Sequence, residues 1–200
     1  MQPLNRQLAE QLLDLQRRDN ETREQLLQEG RLFGVYSDEM QAVHTDNAQA
    51  LNAIIEQHGW PGLSLVGEEA ARAAWLVAQH AICTPGLQRK FRDCLAEAVA
   101  HHEAPKWQLA SLEDRICFNE GRPQLYGTVF DWNAQGELVC EVEQDEGLDA
   151  RRTAVGLPPF DAALARERAA ARAEGGKPTE DYADYRRRAA DWARKVGWRD

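Results

Sequence analysis

The spacing of apolar residues, which repeats every three or four positions along most of the chain, constrains the fold most strongly. This spacing is typical of amphipathic α-helices, because residues three and four apart share one helical face. Glycine and proline interrupt the pattern at positions 30, 59–62, 85, 105, 121 and 175–176, and such residues end or begin helices. We therefore expect a mainly α protein with seven or eight helices.

The interruptions give approximate bounds for eight helices. They are predicted over residues 4–30, 37–58, 68–82, 85–102, 105–121, 149–155, 160–174 and 179–196. The first begins at Leu4, and the last begins at Thr179 after the Gly175-Gly176 break. The last helix has one apolar and aromatic stripe, which indicates a face that packs into the core or docks a partner. The stripe consists of Tyr182, Tyr185, Ala189, Trp192 and Val196.

Between Gly121 and Asp145 the apolar pattern changes to the period of a β-strand. Gln124–Phe130 is rich in β-forming residues, Asn133–Gly136 has the composition of a turn, and Glu137–Val142 alternates with a period of two. This pattern predicts one β-hairpin (about residues 123–143) inserted into a helical bundle. An isolated hairpin is marginally stable in water, so one face is expected to pack on helices.

Length and charge limit the class of protein. The 200 residues fit a single domain with an N-terminal helical region (1–45), a motif-bearing core (46–158) and C-terminal helices (159–200). With 33 acidic and 24 basic side chains, the net charge of −9 argues against nucleic acid as a partner. Basic residues concentrate in 151–200, which favours internal pairing or a basic face turned toward a partner protein.

Several features predict a cytoplasmic protein that neither spans a membrane nor carries disulfides. The chain has no run of eighteen apolar residues and no apolar segment of the signal-peptide type at its start. Its four cysteines, which are widely scattered, are expected to be free thiols in a reducing compartment: Cys83, Cys94, Cys117 and Cys140.

The common cofactor signatures are missing from the sequence. There is no phosphate-binding loop, no dinucleotide-binding glycine fingerprint, no nucleophile-elbow serine and no closely spaced cysteine pair. The rings of the adjacent His101 and His102 point about 100° apart on a helix and cannot share one ion. We therefore predict no cofactor and no metal ligands.

His80 is the first candidate for chemistry. It lies in helical register with Ala73 and Leu76, and therefore on a small apolar face. A histidine beside packed surface suits proton transfer near neutral pH. The structural alternative is a core histidine that hydrogen-bonds a backbone carbonyl. The other histidines, which lie at helix ends or on polar faces, are expected to be solvated: His44, His58, His101 and His102.

The second candidate is a polar face on the predicted hairpin. In a strand, the amide of Gln124, the phenol of Tyr126 and the hydroxyl of Thr128 project to one side, and we expect that side to lie inward. Arg115, nearby in sequence, could bind a carboxylate or a phosphate in bidentate fashion. Arg151-Arg152 offers a further pair of anion-binding groups. The structural alternative is a polar, half-exposed hairpin with an ion pair and a solvated helix start.

Four motifs together resemble a bacterial family known only as a domain of unknown function. They are Gly59–Gly67, Trp75 with Gln79-His80-Ala81, Gln124–Thr128, and Asp149–Arg152 with Val155–Leu157. The resemblance covers about residues 47–158. It implies a mainly helical fold with a small hairpin, and a polar pocket that joins His80, the Gln124–Thr128 segment and one of Arg151 and Arg152. It implies no established reaction.

Two hypotheses follow. In the first, the protein is a small enzyme, a hydrolase or group transferase, that acts on a polar or anionic small molecule through His-centred acid/base chemistry. His80 and Tyr126 would then be catalytic, and the substrate-binding residues would be Arg115, Gln124, Thr128, Arg151 and Arg152. In the second, the protein is a non-catalytic helical module that docks a protein partner through its C-terminal helices.

Overall fold

The computed structural model describes residues 5–32, 36–144, 146–175 and 181–200. Within these residues it contains nine α-helices, one 3-10 helix and one two-stranded hairpin, which confirms the mainly α fold. The elements are α1 (Arg6–Gln28), α2 (Asp38–His58), α3 (Leu63–Val66), α4 (Glu68–His80), the 3-10 helix (Ala81–Cys83), α5 (Pro85–Ala100), α6 (Lys106–Glu120), β1 (Asp131–Trp132), β2 (Leu138–Val139), α7 (Leu148–Ala154), α8 (Phe160–Ala173) and α9 (Tyr182–Val196).

The helix starts have local causes that the sequence contains. The side chains of Asn5 and Ser37 accept hydrogen bonds from the first turns of α1 and α2, and Asp181 does the same for α9. Pro85 is the first residue of α5, where its missing N–H costs nothing. The sequence analysis missed one helix, the short α3. The predicted boundaries at Leu4, Asp145, Gly176 and Thr179 lie outside the described residues.

The chain divides into two compact units. The first (unit 1) contains the described residues up to Leu109, and the second (unit 2) those from Ala110 to Asp200, so that the division falls within α6. The regions 1–45, 46–158 and 159–200 were predicted from the sequence and do not correspond to these units. Those regions stay predictions.

In unit 1, the helices α1, α2 and α4 pack against one another around fully buried aliphatic side chains. Leu12 of α1, Leu51 of α2 and Val77 of α4 are each at most 1% exposed. The side-chain amide of Asn47 donates to the Leu15 carbonyl over 3.0 Å, which joins α2 to α1. This packing fixes the relative positions of polar residues on the inner faces of the three helices.

In unit 2, β1 and β2 form the predicted antiparallel hairpin, with Asp131 opposite Val139 and Trp132 opposite Leu138. The predicted turn at Asn133–Gly136 is confirmed, and the Asn133 side chain accepts hydrogen bonds from the N–H groups of Gln135 and Glu137. The hairpin contacts α8, which agrees with the expectation that it packs on a helix.

The prediction of a regular strand over Gln124–Phe130 is wrong. Of these residues, only Gln124 makes a β-bridge, with Val142, and the rest form a loop before β1. Gly127 has a φ of +66°, a left-handed conformation that breaks the alternation of a strand. The loop forms because a buried acceptor on α6, Asp114, binds several of its N–H groups in place of a neighbouring strand.

Two further features bear on the sequence predictions. Among the described helices, none has both the length and the apolar character that crossing a membrane requires. All four cysteines have free thiols, and Cys117 is the one that is buried.

Candidate functional site

Unit 1 contains a carboxylate, Asp19, between two imidazoles. Asp19 lies in the middle of α1, His44 lies on α2, and His80 is the last residue of α4. The packing of these three helices brings the three side chains together. Asp19 is 1% exposed and His44 6% exposed, so this polar cluster lies inside the helical core.

Both imidazoles approach the same carboxylate oxygen. The Oδ2 atom of Asp19 lies 2.7 Å from Nδ1 of His80 and 3.3 Å from Nε2 of His44. The two rings are tilted against each other, with their centroids 4.8 Å apart. The other oxygen of Asp19, Oδ1, is buried and has no hydrogen-bond partner among the described residues.

The two histidines also determine the protonation of the aspartate. Burial alone raises the pKa of the Asp19 carboxyl, because the charged form loses its hydration. The hydrogen bonds and charges of His44 and His80 outweigh this effect and bring the pKa below its ordinary value. Asp19 is therefore a stable anion at neutral pH.

A second layer lies behind His44. The hydroxyl of Tyr36 makes a hydrogen bond with Nδ1 of His44, which leaves Nε2 of that ring turned toward Asp19. Burial and the neighbouring Cys83 raise the pKa of Tyr36, so its hydroxyl stays protonated. Burial also raises the pKa of the Cys83 thiol, although its hydrogen bond with Tyr36 acts in the opposite direction.

His80 is the part of this cluster that reaches the surface. Its side chain is 33% exposed, whereas that of Asp19 is 1% exposed. Nδ1 is bonded to Asp19, and the second ring nitrogen makes no hydrogen bond with the described residues. The cluster therefore presents one imidazole nitrogen outward, with an anion behind it.

This arrangement allows two kinds of chemistry. An imidazole with one nitrogen held by a buried carboxylate can accept and donate protons at its other nitrogen. Alternatively, Asp19, His44 and His80 together can hold a metal ion, since each offers one ligand atom and these atoms all lie within 4.8 Å of one another. No other such group of three or more His, Cys, Asp or Glu side chains is found in the described part of the chain.

His80 was a candidate from the sequence, but Asp19 and His44, its neighbours in the structure, were not. The expectation that His44 is solvated is wrong, because α2 packs its His44-bearing face inward, whereas His58, His101 and His102 are exposed as predicted. Asp19 was missed, although the sequence contained a signal for it. Asp19 follows Leu15 by four residues and therefore lies on the apolar face of α1.

The other predicted site residues belong to unit 2, where a second buried carboxylate organises the Gln124–Phe130 loop. Asp114 of α6 is fully buried. Its Oδ1 accepts from the N–H groups of Leu125 (2.8 Å) and Tyr126 (3.1 Å), and its Oδ2 from the N–H and the hydroxyl of Thr128, each at 3.0 Å. Burial nevertheless raises the pKa of Asp114, more than these hydrogen bonds lower it.

Gln124 and Thr128 point inward, as the sequence analysis expected, but they bind the protein itself. The Gln124 side chain donates to the Val129 carbonyl over 2.8 Å and accepts from the N–H groups of Thr128 and Val129. These bonds close the loop on itself. Tyr126, which is half-buried, takes part through its backbone, and its hydroxyl makes no hydrogen bond with the described residues.

The two adjacent arginines hold the same loop through its carbonyl groups. Arg152, which is 1% exposed, donates to the carbonyls of Tyr126, Gly127 and Pro158. Arg151 donates to three other carbonyls, those of Leu125, Gln144 and Glu146. The anion-binding role predicted for these two residues stays a prediction.

Arg115 differs from the two adjacent arginines. Its Nε atom is buried and has no hydrogen-bond partner among the described residues, and its guanidinium lies 6.0 Å from the centre of the Phe118 ring. Burial lowers the pKa of Arg115, and the nearby carboxylates of Asp131 and Asp114 partly compensate. Among the predicted anion-binding arginines, Arg115 is thus the one whose buried Nε has no acceptor in the described part of the chain.

Comparison with known proteins identifies a family but no function. A family model described as a family of unknown function (DUF6624) matches residues 6–175, and the chain belongs to this family. No curated protein and no solved structure matches the chain. The matched range contains Asp19, His44 and His80 as well as Asp114 and its loop.

Proposed function

We propose that this member of the DUF6624 family is an enzyme, a hydrolase or group transferase, with His80 as its general acid/base. One observation carries the proposal: Nδ1 of the partly exposed His80 lies 2.7 Å from Oδ2 of the buried Asp19. His80 compensates the buried charge of Asp19 through Nδ1, and its other ring nitrogen makes no hydrogen bond with the described residues. In acid/base catalysis, this pairing sets the tautomer and the orientation of the ring.

The roles follow from the two ring nitrogens. When Nδ1–H donates to Asp19, the lone pair of His80 is at Nε2, on the side away from the carboxylate. Nε2 would take a proton from water or from an acceptor hydroxyl and return it to the leaving group. Asp19 is anionic at neutral pH and would stabilise the imidazolium formed in between.

His44 and Tyr36 would act on the aspartate and not on the substrate. His44 contacts the same carboxylate oxygen from the buried side, and Tyr36 fixes the orientation of the His44 ring. Together they hold the carboxylate where it can bind His80. They are positioning residues in this proposal.

The substrate class, a polar or anionic small molecule, is carried forward from the sequence. Within unit 2, Arg115 supports it, because its buried Nε has no acceptor among the described residues. The catalytic role of Tyr126 and the substrate-binding roles of Gln124, Thr128, Arg151 and Arg152 stay predictions.

The test is a substrate screen with matched variants. The full chain would be assayed on panels of phosphate esters, carboxylic esters and amides, beside His80→Gln, Asp19→Asn and the exposed control His101→Gln. Loss of a general acid/base lowers the rate about 10²- to 10⁴-fold, so His80→Gln should show a loss in that range and His101→Gln none. A substrate that the wild type and His80→Gln turn over at equal rates would refute the assignment.

The alternative of a docking module stays a prediction. A groove of about 370 Å³ lies along α8, one of the C-terminal helices. It is lined by Asp161, Leu164, Ala165, Arg168, Ala169 and Arg172.

A further inference from the structure

We infer that Asp19, His44 and His80 form a binding site for a divalent transition-metal ion of the Zn²⁺ type. Two imidazoles and one carboxylate are a ligand set that such ions prefer, whereas Mg²⁺ and Ca²⁺ prefer oxygen ligands throughout. The ligand atoms come from three packed helices and lie within 4.8 Å of one another.

The spacing between Asp19 and His44 fits an ion of this size, whereas that between Asp19 and His80 is shorter. Bonds of about 2.1 Å at tetrahedral angles place neighbouring ligand atoms about 3.4 Å apart. Nε2 of His44 lies 3.3 Å from Oδ2 of Asp19, which matches this spacing. Nδ1 of His80, at 2.7 Å from Oδ2 of Asp19, is closer than a ligand would be. It would have to move outward by about 0.7 Å to reach that spacing. Because His80 ends α4 and is partly exposed, it has room for that shift.

A second observation points to a ligand independently of these distances. Oδ1 of Asp19 is buried, and it has no hydrogen-bond partner among the described residues. A buried charged oxygen without a hydrogen-bond donor lowers the stability of a fold, and such oxygens are rare in native proteins. A cation bound through both carboxylate oxygens, and not through Oδ2 alone, would satisfy Oδ1.

The surroundings of His44 are those of a metal ligand. An imidazole that binds a metal through one nitrogen usually donates its other N–H to a fixed acceptor, which sets the tautomer. Here the Tyr36 hydroxyl is in hydrogen-bond contact with Nδ1 of His44 and leaves Nε2 facing Asp19. The hydroxyl can accept from Nδ1–H, so the lone pair of Nε2 is available to an ion.

Metal binding also regulates the site, and this part alone rests on the proposed function. Both roles of His80 use Nδ1, which either donates its proton to Asp19 or gives its lone pair to the ion. With an ion on Nδ1, the neutral ring carries its proton at Nε2 and can no longer accept one there. The occupied cluster is therefore an inactive state for proton transfer by His80.

The experiment is a binding titration on the full chain after chelator treatment and dialysis. Zn²⁺ is followed by calorimetry, and Co²⁺ by its visible absorption. The variants are Asp19→Asn, His44→Gln and His80→Gln, with His58→Gln as a matched control at the exposed end of α2. Circular dichroism checks that each variant is folded, and the surface position of His80 makes His80→Gln the variant least prone to unfold.

We expect one ion per wild-type chain and an unchanged affinity in His58→Gln. Since loss of an outer-shell partner alone weakens metal binding about 10- to 100-fold, each ligand variant should lose more than about 100-fold. The inference is overturned if the wild type binds no stoichiometric ion, if folded His80→Gln binds as tightly as the wild type, or if His58→Gln weakens binding equally.

This outcome is separable from that of the proposed function, because the titration contains no substrate. Binding without any effect of His80→Gln on turnover would refute the acid/base role and leave the metal site standing. Loss of turnover in His80→Gln, in a protein that binds no metal, would support the acid/base role and refute the metal site. If both hold, added Zn²⁺ should suppress turnover, and chelator should restore it.

Discussion

Among the described residues, each of the two compact units buries one aspartate, and the two carboxylates are satisfied in different ways. Asp114 in unit 2 accepts four hydrogen bonds, all from a single loop whose first donor, Leu125, lies eleven residues later. Asp19 in unit 1 has two imidazoles on one oxygen, and its other oxygen has no partner among the described residues. Both side chains are at most 1% exposed, so burial does not distinguish them.

The difference lies in the chemistry of the donors. Three donors of Asp114 are backbone N–H groups, which cannot give up their protons or move without unfolding the loop. The partners of Asp19 are imidazole nitrogens, Nδ1 of His80 in a hydrogen bond and Nε2 of His44 in a longer contact. Such nitrogens can lose a proton, turn or bind a metal. Asp114 is therefore suited to hold a conformation, and Asp19 to support a reaction.

Of the changes predicted here, the loss of Asp114 should lower the free energy of unfolding most. Asp114→Ala leaves four donors of the loop without their acceptor, at a cost of about 1 kcal/mol or more each, so the free energy of unfolding should fall by about 4 kcal/mol. Urea denaturation followed by circular dichroism measures this change. The exposed Asp93→Ala serves as a control and should stay within about 0.5 kcal/mol of the wild type. An equally small change in Asp114→Ala would contradict the structural role.

A smaller effect is the pH dependence, which should have opposite signs at the two aspartates. The pKa of Asp19 lies below its ordinary value of 3.8, so its anion stabilises the fold above that pH and the contribution is lost as the pH falls toward the folded pKa. The pKa of Asp114 lies above 3.8, so its charged form costs stability above the folded pKa, and this cost disappears as the pH falls.

Asparagine variants isolate these two contributions, because the amide cannot ionise. Between about pH 5 and pH 3, the stability advantage of the wild type over Asp19→Asn should shrink, whereas its advantage over Asp114→Asn should grow. Each slope is limited to about 1.4 kcal/mol per pH unit for one proton. Urea denaturation at several pH values gives both slopes, and slopes of the same sign would contradict the comparison.

The smallest effect concerns a single donor to Asp114. Thr128→Val keeps the shape of the side chain and removes its hydroxyl, while the N–H of residue 128 still donates to the carboxylate. The free energy of unfolding should fall by about 1 kcal/mol. Thr153→Val on α7 is the matched control, because that hydroxyl bonds a carbonyl within its own helix. A loss as large as that of Asp114→Ala would mean that the hydroxyl, and not the set of N–H groups, holds the loop.

The parts of the fold that local sequence determines were predictable. Helix starts at Ser37 and Pro85 and the turn at Asn133–Gly136 depend on side chains within a few residues. The strand over Gln124–Phe130 was not predictable in the same way. Its β-forming residues indicate a strand, but the acceptor that overrides this preference, Asp114, lies on a preceding helix.

The candidate site was less predictable than the fold. His80 could be proposed from its place on a helix face, but its partner Asp19 is 61 residues away in the sequence. Only the packing of α1 on α4 brings the two together. His44 was expected to be solvated for the same reason, since the pattern of α2 alone does not show that its face meets the aspartate.

The tautomer of His80 tests the central claim most directly, and ¹⁵N chemical shifts of the histidine rings report it. The spectra would be recorded on the metal-free chain at a pH where the ring is neutral. We predict that the wild type and Asp114→Asn hold His80 with its proton on Nδ1, and that Asp19→Asn loses this preference. A wild-type His80 with its proton on Nε2, or a tautomer unchanged by Asp19→Asn, would contradict the claim that Asp19 prepares His80 for proton transfer.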